Sequence, residues 1–312
     1  MASVVIPFVI CLAVVLLLVP IMRRVAVKAG FVDRPNQRKI HSVPIPLLGG
    51  AAIFIGVMAT MIAFDGWTDR TLSLLTGGFL LVCIGLTDDW YKTRGKDFAV
   101  WPRLVVYLLV STVPLWYGLE IRGMTNWFDG GAYYFFPQWM VIAATILWLF
   151  SLTNMMNFID GVDGLATGIA LISSLTLLAA SLYHGQEGTA LLAAVLAGGC
   201  IAFLVFNFHP AKIFLGDAGA TFLGYALALT AVDGAFKTLL VPVLALGVPI
   251  LDTAIVFTRR FLENKGLHKA DKLHTHHSLM KWGLTQTQTV SFLYLIGVLF
   301  ALLSIVSLLL FS

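Results

Sequence analysis

The sequence predicts an all-α integral membrane protein in which about ten helices cross the bilayer. Three observations carry this prediction: the composition, the apolar runs along the chain, and the uneven distribution of basic residues. Of the 312 residues, 59% are hydrophobic and 12% are charged, whereas a soluble chain carries about 25% charged residues. The mean hydropathy is +0.91. This composition excludes a cytosolic enzyme, a disordered protein and a coiled coil.

Apolar runs near the length of a membrane span recur along the whole chain, since a helix needs about 20 mostly apolar residues to cross a bilayer. The runs lie at 3–22, 48–64, 71–87, 100–118, 138–154, 164–183, 190–206, 218–235, 238–258 and 288–311. The first run is followed by Arg23 and Arg24 and has no cleavage site, so it is predicted to be a retained span rather than a signal peptide. No repeat or linker divides the chain, and residues 1–312 are predicted to form a single transmembrane domain.

The basic residues predict the orientation of the spans. Five loops, at 23–47, 88–103, 155–163, 207–217 and 259–287, hold 17 of the 20 Lys and Arg residues. Because cytoplasmic loops are enriched in basic residues, these five loops are predicted in the cytoplasm, with both termini outside. No basic cluster lies on a soluble face, so nucleic acid is not expected as a partner. The aromatic segment 119–137 favours a membrane-interface belt or short helix over a substrate site.

An acidic pair ends the third run. Asp88 and Asp89 follow it directly, beside Lys92. Carboxylates at a helix C-terminus meet the negative end of the helix dipole, at a cost of about 0.3–1 kcal/mol each. The pair could simply face water, but its unfavourable position beside basic residues favours a magnesium–diphosphate site.

Four short polar side chains recur every third residue at the junction after the fifth run: Asn154, Asn157, Asp160 and Asp163. Asp163 could cap the sixth span and Asp160 could hold the turn. Capping does not explain why all four lie near the membrane surface, where polar groups are costly and indicate function.

A third cluster precedes the eighth run. Asp217 stands where a helix N-cap would stand, and a cap explains this residue as well as a site does. Asn207, Lys212 and Phe214 come just before it. Since helix N-termini and basic residues bind phosphate, the cluster predicts a pocket for a diphosphate and a base.

The last cytoplasmic loop carries three histidines within four residues, His274, His276 and His277. No cysteine is near and their spacing fits no common zinc pattern. With the neighbouring basic residues they favour phosphate binding over zinc or a solvated loop. Acidic groups for a divalent cation, basic groups for phosphate and an aromatic ring for a base together predict phosphoryl transfer from a soluble nucleotide to a lipid.

Six motifs along essentially the whole chain give it a family resemblance. The sequence resembles polyprenyl-phosphate N-acetylhexosamine-1-phosphate transferases of the WecA/TagO type, related to MraY. The motifs, in family order, are VDRPNQRKIHSVPIPLLGG, GLTDDWYK, NMMNFIDGVDGLATG, NFHPAKIFLGDAGATFLGY, VPILDT and ADKLHTHHSLMKWGL. The HTHH motif and the short loop after the eighth run favour the WecA/TagO branch over MraY. Arg103, Thr275 and Ser278 depart from the family pattern, which bears on the sugar rather than on the reaction.

The resemblance implies a role for each candidate residue. Asp217 would be the main ligand of Mg²⁺, for which Mn²⁺ could substitute, and Asp88 and Asp89 would help to hold the metal or deprotonate the lipid phosphate. The substrate-binding residues would be Asn157, Asp160 and Asp163 for the nucleotide sugar, Asn207 and Phe214 for the uracil, and Lys92, His274, His276 and His277 for phosphate oxygens.

The reaction implied by the resemblance is attack of undecaprenyl phosphate on the β-phosphorus of UDP-N-acetylglucosamine, with release of UMP. It would be the first membrane step of a cell-surface glycan, such as teichoic acid or O-antigen, in the bacterial inner (plasma) membrane. Another UDP-sugar, UDP-N-acetylgalactosamine or UDP-MurNAc-pentapeptide, stays open, as does homodimerisation. A cation-coupled transporter is the alternative from another class. The acidic groups disfavour it because they lie at span ends on one side and not at mid-span.

Overall fold

The part of the chain that the structure describes is mostly helical, as predicted. The computed structural model describes residues 2–35, 43–126, 132–234, 239–262 and 274–311. Within these residues the helices are α1 (Ala2–Lys28), α2 (Gly49–Phe64), α3 (Asp69–Thr93), α4 (Val100–Trp116), α5 (Gln138–Ile159), α6 (Leu165–Tyr183), α7 (Glu187–Asn207), α8 (Gly216–Asp233), α9 (Leu240–Ala245), α10 (Gly247–Leu262), α11 (Thr275–Lys281) and α12 (Gln286–Phe311). Four short strands are β1 (Val32–Asp33), β2 (Ile45–Pro46), β3 (Gly123–Asn126) and β4 (Ala132–Phe135).

The described helices are those of a multi-pass membrane protein. Six are long and apolar enough to cross a bilayer, namely α1, α3, α5, α6, α7 and α12. The apolar helices α2 and α4 are shorter, with 16 and 17 residues. Each of the ten apolar runs overlaps a helix within the described residues, but the count of ten spans stays a prediction.

The ninth run is divided into α9 and α10 at Leu246. Pro249 is the cause, because it has no N–H to donate to the carbonyl of Ala245 and its ring would clash with that carbonyl in a continuous helix. The hydroxyl of Ser173, on α6, donates to the Ala245 carbonyl at 2.7 Å instead. The break therefore leaves this carbonyl hydrogen-bonded inside the bundle.

Helix α8 is the centre of the bundle. Every residue from Ala218 to Val232 is buried, and α8 packs against α2, α3, α5, α6 and α7. A helix that is apolar on all sides is expected in such a position. At its first turn the neighbouring backbones come very close: a Cβ added at Gly85 of α3 would lie 2.4 Å from the Cα of Ala218. These contacts fix the start of α8, where Asp217 lies.

The aromatic segment between α4 and α5 forms an antiparallel hairpin of β3 and β4. Of the two alternatives, belt or short helix, the short helix is wrong for the described residues of this segment, and aromatic residues such as Tyr133, Tyr134 and Phe135 favour strands. All three side chains are exposed. Their place in a belt at the membrane interface stays a prediction.

Candidate active site

One end of the bundle encloses a cavity of about 1120 Å³. Its walls come from all five loops that the basic residues place on one side of the membrane, with lining residues within 33–47, 89–97, 160–163, 207–217 and 277–286. The fold therefore gathers at one end the segments that the charge distribution groups together. That this end faces the cytoplasm stays a prediction.

Most of the candidate residues lie on the cavity wall. Those lining it are Asp89, Lys92, Asp160, Asp163, Asn207, Phe214, Asp217 and His277. Asp88, Asn157, His274 and His276 are not among the lining residues. Asp88 contacts Lys92, which lines the cavity, and His274 is connected to His277 through His276. The three separate sequence clusters and the histidine segment thus form one site.

A compact charge cluster lies between the last turn of α3 and the first turn of α8, and its members Lys92 and Asp217 line the cavity. The Lys92 ammonium lies 2.6 Å from Asp217 Oδ1 and 3.0 Å from Asp88 Oδ2. Arg103, from the first turn of α4, places Nη1 2.9 Å from Asp88 Oδ2 and 3.4 Å from Asp217 Oδ2. Asp88 is only 1% exposed, so the ion pairs offset the cost of burying its charge.

Asp89 differs from Asp88 in its partners. Its Oδ1 accepts from the backbone N–H of Asp217 at 3.1 Å and its Oδ2 from that of Ala218 at 3.4 Å. Asp89 is therefore the carboxylate that satisfies the first N–H groups of α8. The N-cap interpretation of Asp217 is wrong, because Asp217 lies inside the first turn after the N-cap residue Leu215. Its own carboxylate is left for Lys92 and Arg103.

The loop before α8 is held by Asp163. Its Oδ2 accepts from the N–H of Ala211 at 3.1 Å and lies 2.9 Å from Nδ1 of His209. The sixth helix is not capped by Asp163. Its N-cap residue is Gly164, which has φ +78° and no side-chain cap bond, a conformation that glycine adopts at little cost.

Asn207 connects the same two loops. Its Oδ1 accepts from the N–H of Gly164 at 3.1 Å and from the hydroxyl of Thr167 at 3.2 Å, while its Nδ2 donates to the carbonyl of Ile213 at 3.0 Å. Both ends of this buried amide are used within the protein. The predicted contact of Asn207 with uracil stays a prediction, and Asn207 certainly holds the wall on which Phe214 lies.

Asp160 ends α5 on the cavity wall. No hydrogen bond or ion pair to its carboxylate is found among the described residues. Burial, and next the negative charge of Asp217, raises the pKa of Asp160 from 3.8 to about 7. Of the polar residues in the α5–α6 junction, this one is most available to a ligand. Asn157 lies one turn earlier, partly buried.

The three histidines are not equivalent. His277 lines the cavity, whereas His276 is 2% exposed and its Nε2 packs against Gly161, where an added Cβ would lie 2.4 Å away. Burial, and next His277, lowers the pKa of His276 to about 3, so this ring is neutral at pH 7. His274 lies outside the wall, with Nδ1 2.7 Å from Asp252 Oδ2. In this arrangement only His277 reaches the cavity.

The acidic groups suit a magnesium ion that is completed by a substrate. Within the described residues, no three acidic, histidine or cysteine side chains converge as a ready ligand set. Mg²⁺ is usually held by one or two carboxylates together with substrate phosphates and water. Asp217 and Asp88 offer such oxygens. The carboxylates of Asp88, Asp89 and Asp217 outnumber the neighbouring cations, Lys92 and Arg103, by one. Asp89 is less available because its oxygens hold α8.

Three residues of the site were not among the predicted ones. Arg103 completes the charge cluster, His209 pairs with Asp163 on the wall, and Asp252 holds His274. Arg103 and His209 both stand inside predicted loops, so their polar side chains could have indicated them. Asp252 lies in an apolar run 22 positions from His274, and only the fold brings the two together.

Comparison with known proteins shows the family to which the chain belongs. The family model described as glycosyl transferase family 4 matches residues 71–235. A Bacillus subtilis protein named probable undecaprenyl-phosphate N-acetylglucosaminyl 1-phosphate transferase is 36% identical, over 98% of this chain and 85% of its own length. A Yersinia pestis undecaprenyl-phosphate alpha-N-acetylglucosaminyl 1-phosphate transferase is 28% identical, over 92% and 79%. A Moorella thermoacetica phospho-N-acetylmuramoyl-pentapeptide-transferase is 33% identical, over 95% and 96%. The chain therefore belongs to glycosyl transferase family 4, within the MraY/WecA/TagO superfamily.

Proposed function

We propose that the protein transfers N-acetylglucosamine-1-phosphate from UDP-N-acetylglucosamine to undecaprenyl phosphate. An oxygen of the lipid phosphate attacks the β-phosphorus of the nucleotide sugar. The bond from that phosphorus to the α–β bridging oxygen breaks, and UMP leaves. The product is an undecaprenyl-diphosphate-linked N-acetylglucosamine. The proposal includes the bacterial inner membrane, with the cavity facing the cytoplasm, and a product that starts a cell-surface glycan.

The charge cluster of Lys92, Arg103, Asp88 and Asp217 is the observation that carries this proposal. Phosphoryl transfer needs the phosphate oxygens to be positioned and their charge neutralised. Two cations held within 3.4 Å of two carboxylates supply that environment. Lys92 and Asp217 of this cluster line a cavity of about 1120 Å³. Binding sites for small molecules typically measure about 300–1,000 Å³, so this cavity has room for a nucleotide sugar and a lipid phosphate.

Each residue has a task in the proposed reaction. Lys92 and Arg103 bind phosphate oxygens, Asp160 and His277 bind the nucleotide sugar, and Phe214 stacks against the uracil. Asp88 accepts the proton of the lipid phosphate where that phosphate is protonated. Asp89 and Asp163 keep the start of α8 and the preceding loop in place through their backbone contacts.

Asp217 would be the main ligand of Mg²⁺, and Asp88 would help to hold the ion where it does not serve as the proton acceptor. When bound, this ion would neutralise charge on the diphosphate and on the leaving UMP. Mn²⁺ takes the same oxygen ligands and could substitute.

The second candidate is the same transfer from UDP-MurNAc-pentapeptide. The resemblance to the Moorella thermoacetica protein named for that substrate, at 33% identity, favours keeping it. The resemblance to the Bacillus subtilis protein covers slightly more of this chain at higher identity, which supports N-acetylglucosamine as the first choice.

A panel of nucleotide sugars tests the proposal. Purified protein is given undecaprenyl phosphate, Mg²⁺ and in turn UDP-N-acetylglucosamine, UDP-N-acetylgalactosamine or UDP-MurNAc-pentapeptide, and the release of UMP is measured. We expect release with UDP-N-acetylglucosamine, and none when the lipid phosphate or the divalent cation is left out. Turnover with another sugar alone would correct the substrate, and no UMP from any of them would overturn the reaction.

A further inference from the structure

Asp252 is a buried carboxylate that the proposed reaction does not use. It lies in the VPILDT segment of α10 and is 5% exposed. Its Oδ2 lies 2.7 Å from His274 Nδ1, and its Oδ1 accepts from the backbone N–H of Thr275 at 2.7 Å. Both oxygens are therefore committed to the residues at which α11 begins.

The contact with Asp252 determines which nitrogen of the His274 ring carries a proton. An ionised carboxylate only accepts hydrogen bonds, so Nδ1 must carry a proton and Nε2 is the nitrogen left for other partners. The same contact fixes the plane of the ring, as carboxylate partners do for histidines that bind metals. The Thr275 contact fixes the backbone at the same point.

The rings of His274, His276 and His277 contact one another in turn. His274 stacks on His276 with centroids 5.9 Å apart and an angle of 7° between the planes, and His276 lies 4.3 Å from His277. His277 lines the cavity. A series of contacts therefore connects a carboxylate outside the cavity to a side chain that lines it.

We propose that Asp252 is a positioning residue, which holds His274 with its proton on Nδ1 and thereby places the α11 histidines against the substrate phosphates. This inference rests on the proposed function, since it takes the phosphates of a nucleotide sugar as the ligand of that segment. Asp252 itself does not touch the substrate.

The test is a double-mutant cycle between Asp252 and His274. Asp252→Asn keeps the shape of the side chain but offers one acceptor oxygen to two donors. We expect kcat/KM for UMP release to fall about 10–100-fold, the range for losing a carboxylate that orients a functional histidine. In a His274→Ala background the same substitution should change kcat/KM less than about 3-fold, because coupled residues are not additive. Equal losses in both backgrounds would mean a general structural role and overturn the proposal.

Thr253→Val is the matched control. It lies next to Asp252, and its buried hydroxyl has no hydrogen-bond partner among the described residues. We expect its kcat/KM within about 2-fold of the wild type, since no hydrogen bond is lost. A loss as large as that of Asp252→Asn would assign the effect to packing of α10 and contradict the proposal.

A second measurement is independent of turnover. Nitrogen-15 spectra of histidine-labelled protein, with the His274→Ala variant for assignment, report which ring nitrogen of His274 carries hydrogen. We expect hydrogen on Nδ1 in the wild type and its loss or redistribution in Asp252→Asn. Hydrogen on Nε2 alone in the wild type would overturn the positioning role. Wild-type protein that releases no UMP but shows the Nδ1 signal would overturn the proposed function and leave the Asp252–His274 contact supported.

Discussion

The neighbouring carboxylates Asp88 and Asp89 have different surroundings although both are almost fully buried. Asp88 pairs with Lys92 and Arg103 and lies beside the Asp217 carboxyl. Asp89 lies 3.9 Å from Lys92 and also accepts from two backbone N–H groups of α8. The sequence predicts an acidic pair in a site but gives no means of separating them. The separation depends on which side of α3 faces α8, and consecutive helical residues point about 100° apart. Asp88 is therefore the better candidate for chemistry and Asp89 for the stability of the site.

Substitutions of Asp217 and Asp89 should separate activity from stability. Asp217→Asn should leave the unfolding free energy within about 1 kcal/mol, because Lys92 and Arg103 both keep Asp88 as a partner and Asp89 still holds α8. UMP release should be almost abolished. Asp89→Asn should lower the unfolding free energy by about 1–3 kcal/mol, because one backbone donor loses its acceptor. Denaturation in detergent and UMP release measure the two effects. An active Asp217→Asn variant would contradict the assignment of Asp217 to the metal and phosphates.

Asp160 should make the stability of the protein depend on pH. The pKa of Asp160 is about 7 in the folded protein, against the ordinary aspartate value of 3.8 that applies to the unfolded chain. The folded protein therefore binds this proton more tightly than the unfolded chain does. The resulting stabilisation is fully present below about pH 4 and is lost as the pH rises through about 7. We expect the wild type to lose unfolding free energy between pH 5 and pH 8, at most about 1.4 kcal/mol per pH unit from this group. Asp160→Asn should show a flatter profile, measured without Mg²⁺ or nucleotide. Parallel profiles for the two proteins would exclude the raised pKa.

At the scale of elements, the site depends on how closely three helices approach each other. Gly85 of α3 and Gly50 of α2 both meet the first turn of α8, where an added Cβ would lie 2.4 Å or less from backbone atoms. Small residues permit such contact between membrane helices. The distances from Asp217 to Lys92 and Arg103 follow from it. Hydropathy predicts these helices but not their partners, because every apolar face is equally suited to lipid and to another helix.

Gly85→Ala should therefore damage both packing and chemistry. The added methyl group would lie 2.4 Å from the backbone of Ala218, which cannot move as a flexible side chain would. Overpacking of this kind costs about 1–3 kcal/mol, and separation of α3 from α8 should lower UMP release at least 10-fold. Gly199→Ala in α7 is the control, because its nearest neighbour, the sulfur of Cys11, lies 3.5 Å away in ordinary contact. Thermal unfolding and turnover of both variants test the argument, and equal behaviour of the two would contradict it.

The sequence predicts the helical parts of the molecule well and their junctions poorly. The apolar runs at 71–87 and 138–154 underestimate α3 and α5, which continue to Thr93 and Ile159. Hydropathy ends at the first charges, but the helical hydrogen bonds do not. These extra turns carry Asp88, Lys92 and Asn157, so the site lies where composition changes and the helix persists. Two features depend on tertiary packing, for which a single sequence contains no periodic signal. One is the Asp252–His274 contact, and the other is that Asp89, not Asp217, satisfies the first N–H groups of α8.

The whole molecule has two ends, and the charge distribution predicts which one faces the cytoplasm. Ala99, exposed at the start of α4, lies at the cavity end, and Asp69, exposed at the start of α3, lies at the other. Helix α3 separates Asp69 from Asp88 by 19 residues, about 29 Å at 1.5 Å per residue, close to the thickness of the hydrocarbon core.

Cysteine labelling tests this orientation. In a background without Cys11, Cys83 and Cys200, all free thiols, a single cysteine is introduced at Asp69 or at Ala99. A membrane-impermeant maleimide applied to spheroplasts should label Asp69→Cys, and should label Ala99→Cys only after lysis. The reverse pattern would place the cavity outside, where no cytosolic nucleotide sugar could reach it, and would contradict both the orientation and the proposed function. Labelling of both positions before lysis would contradict the crossing of the bilayer by α3.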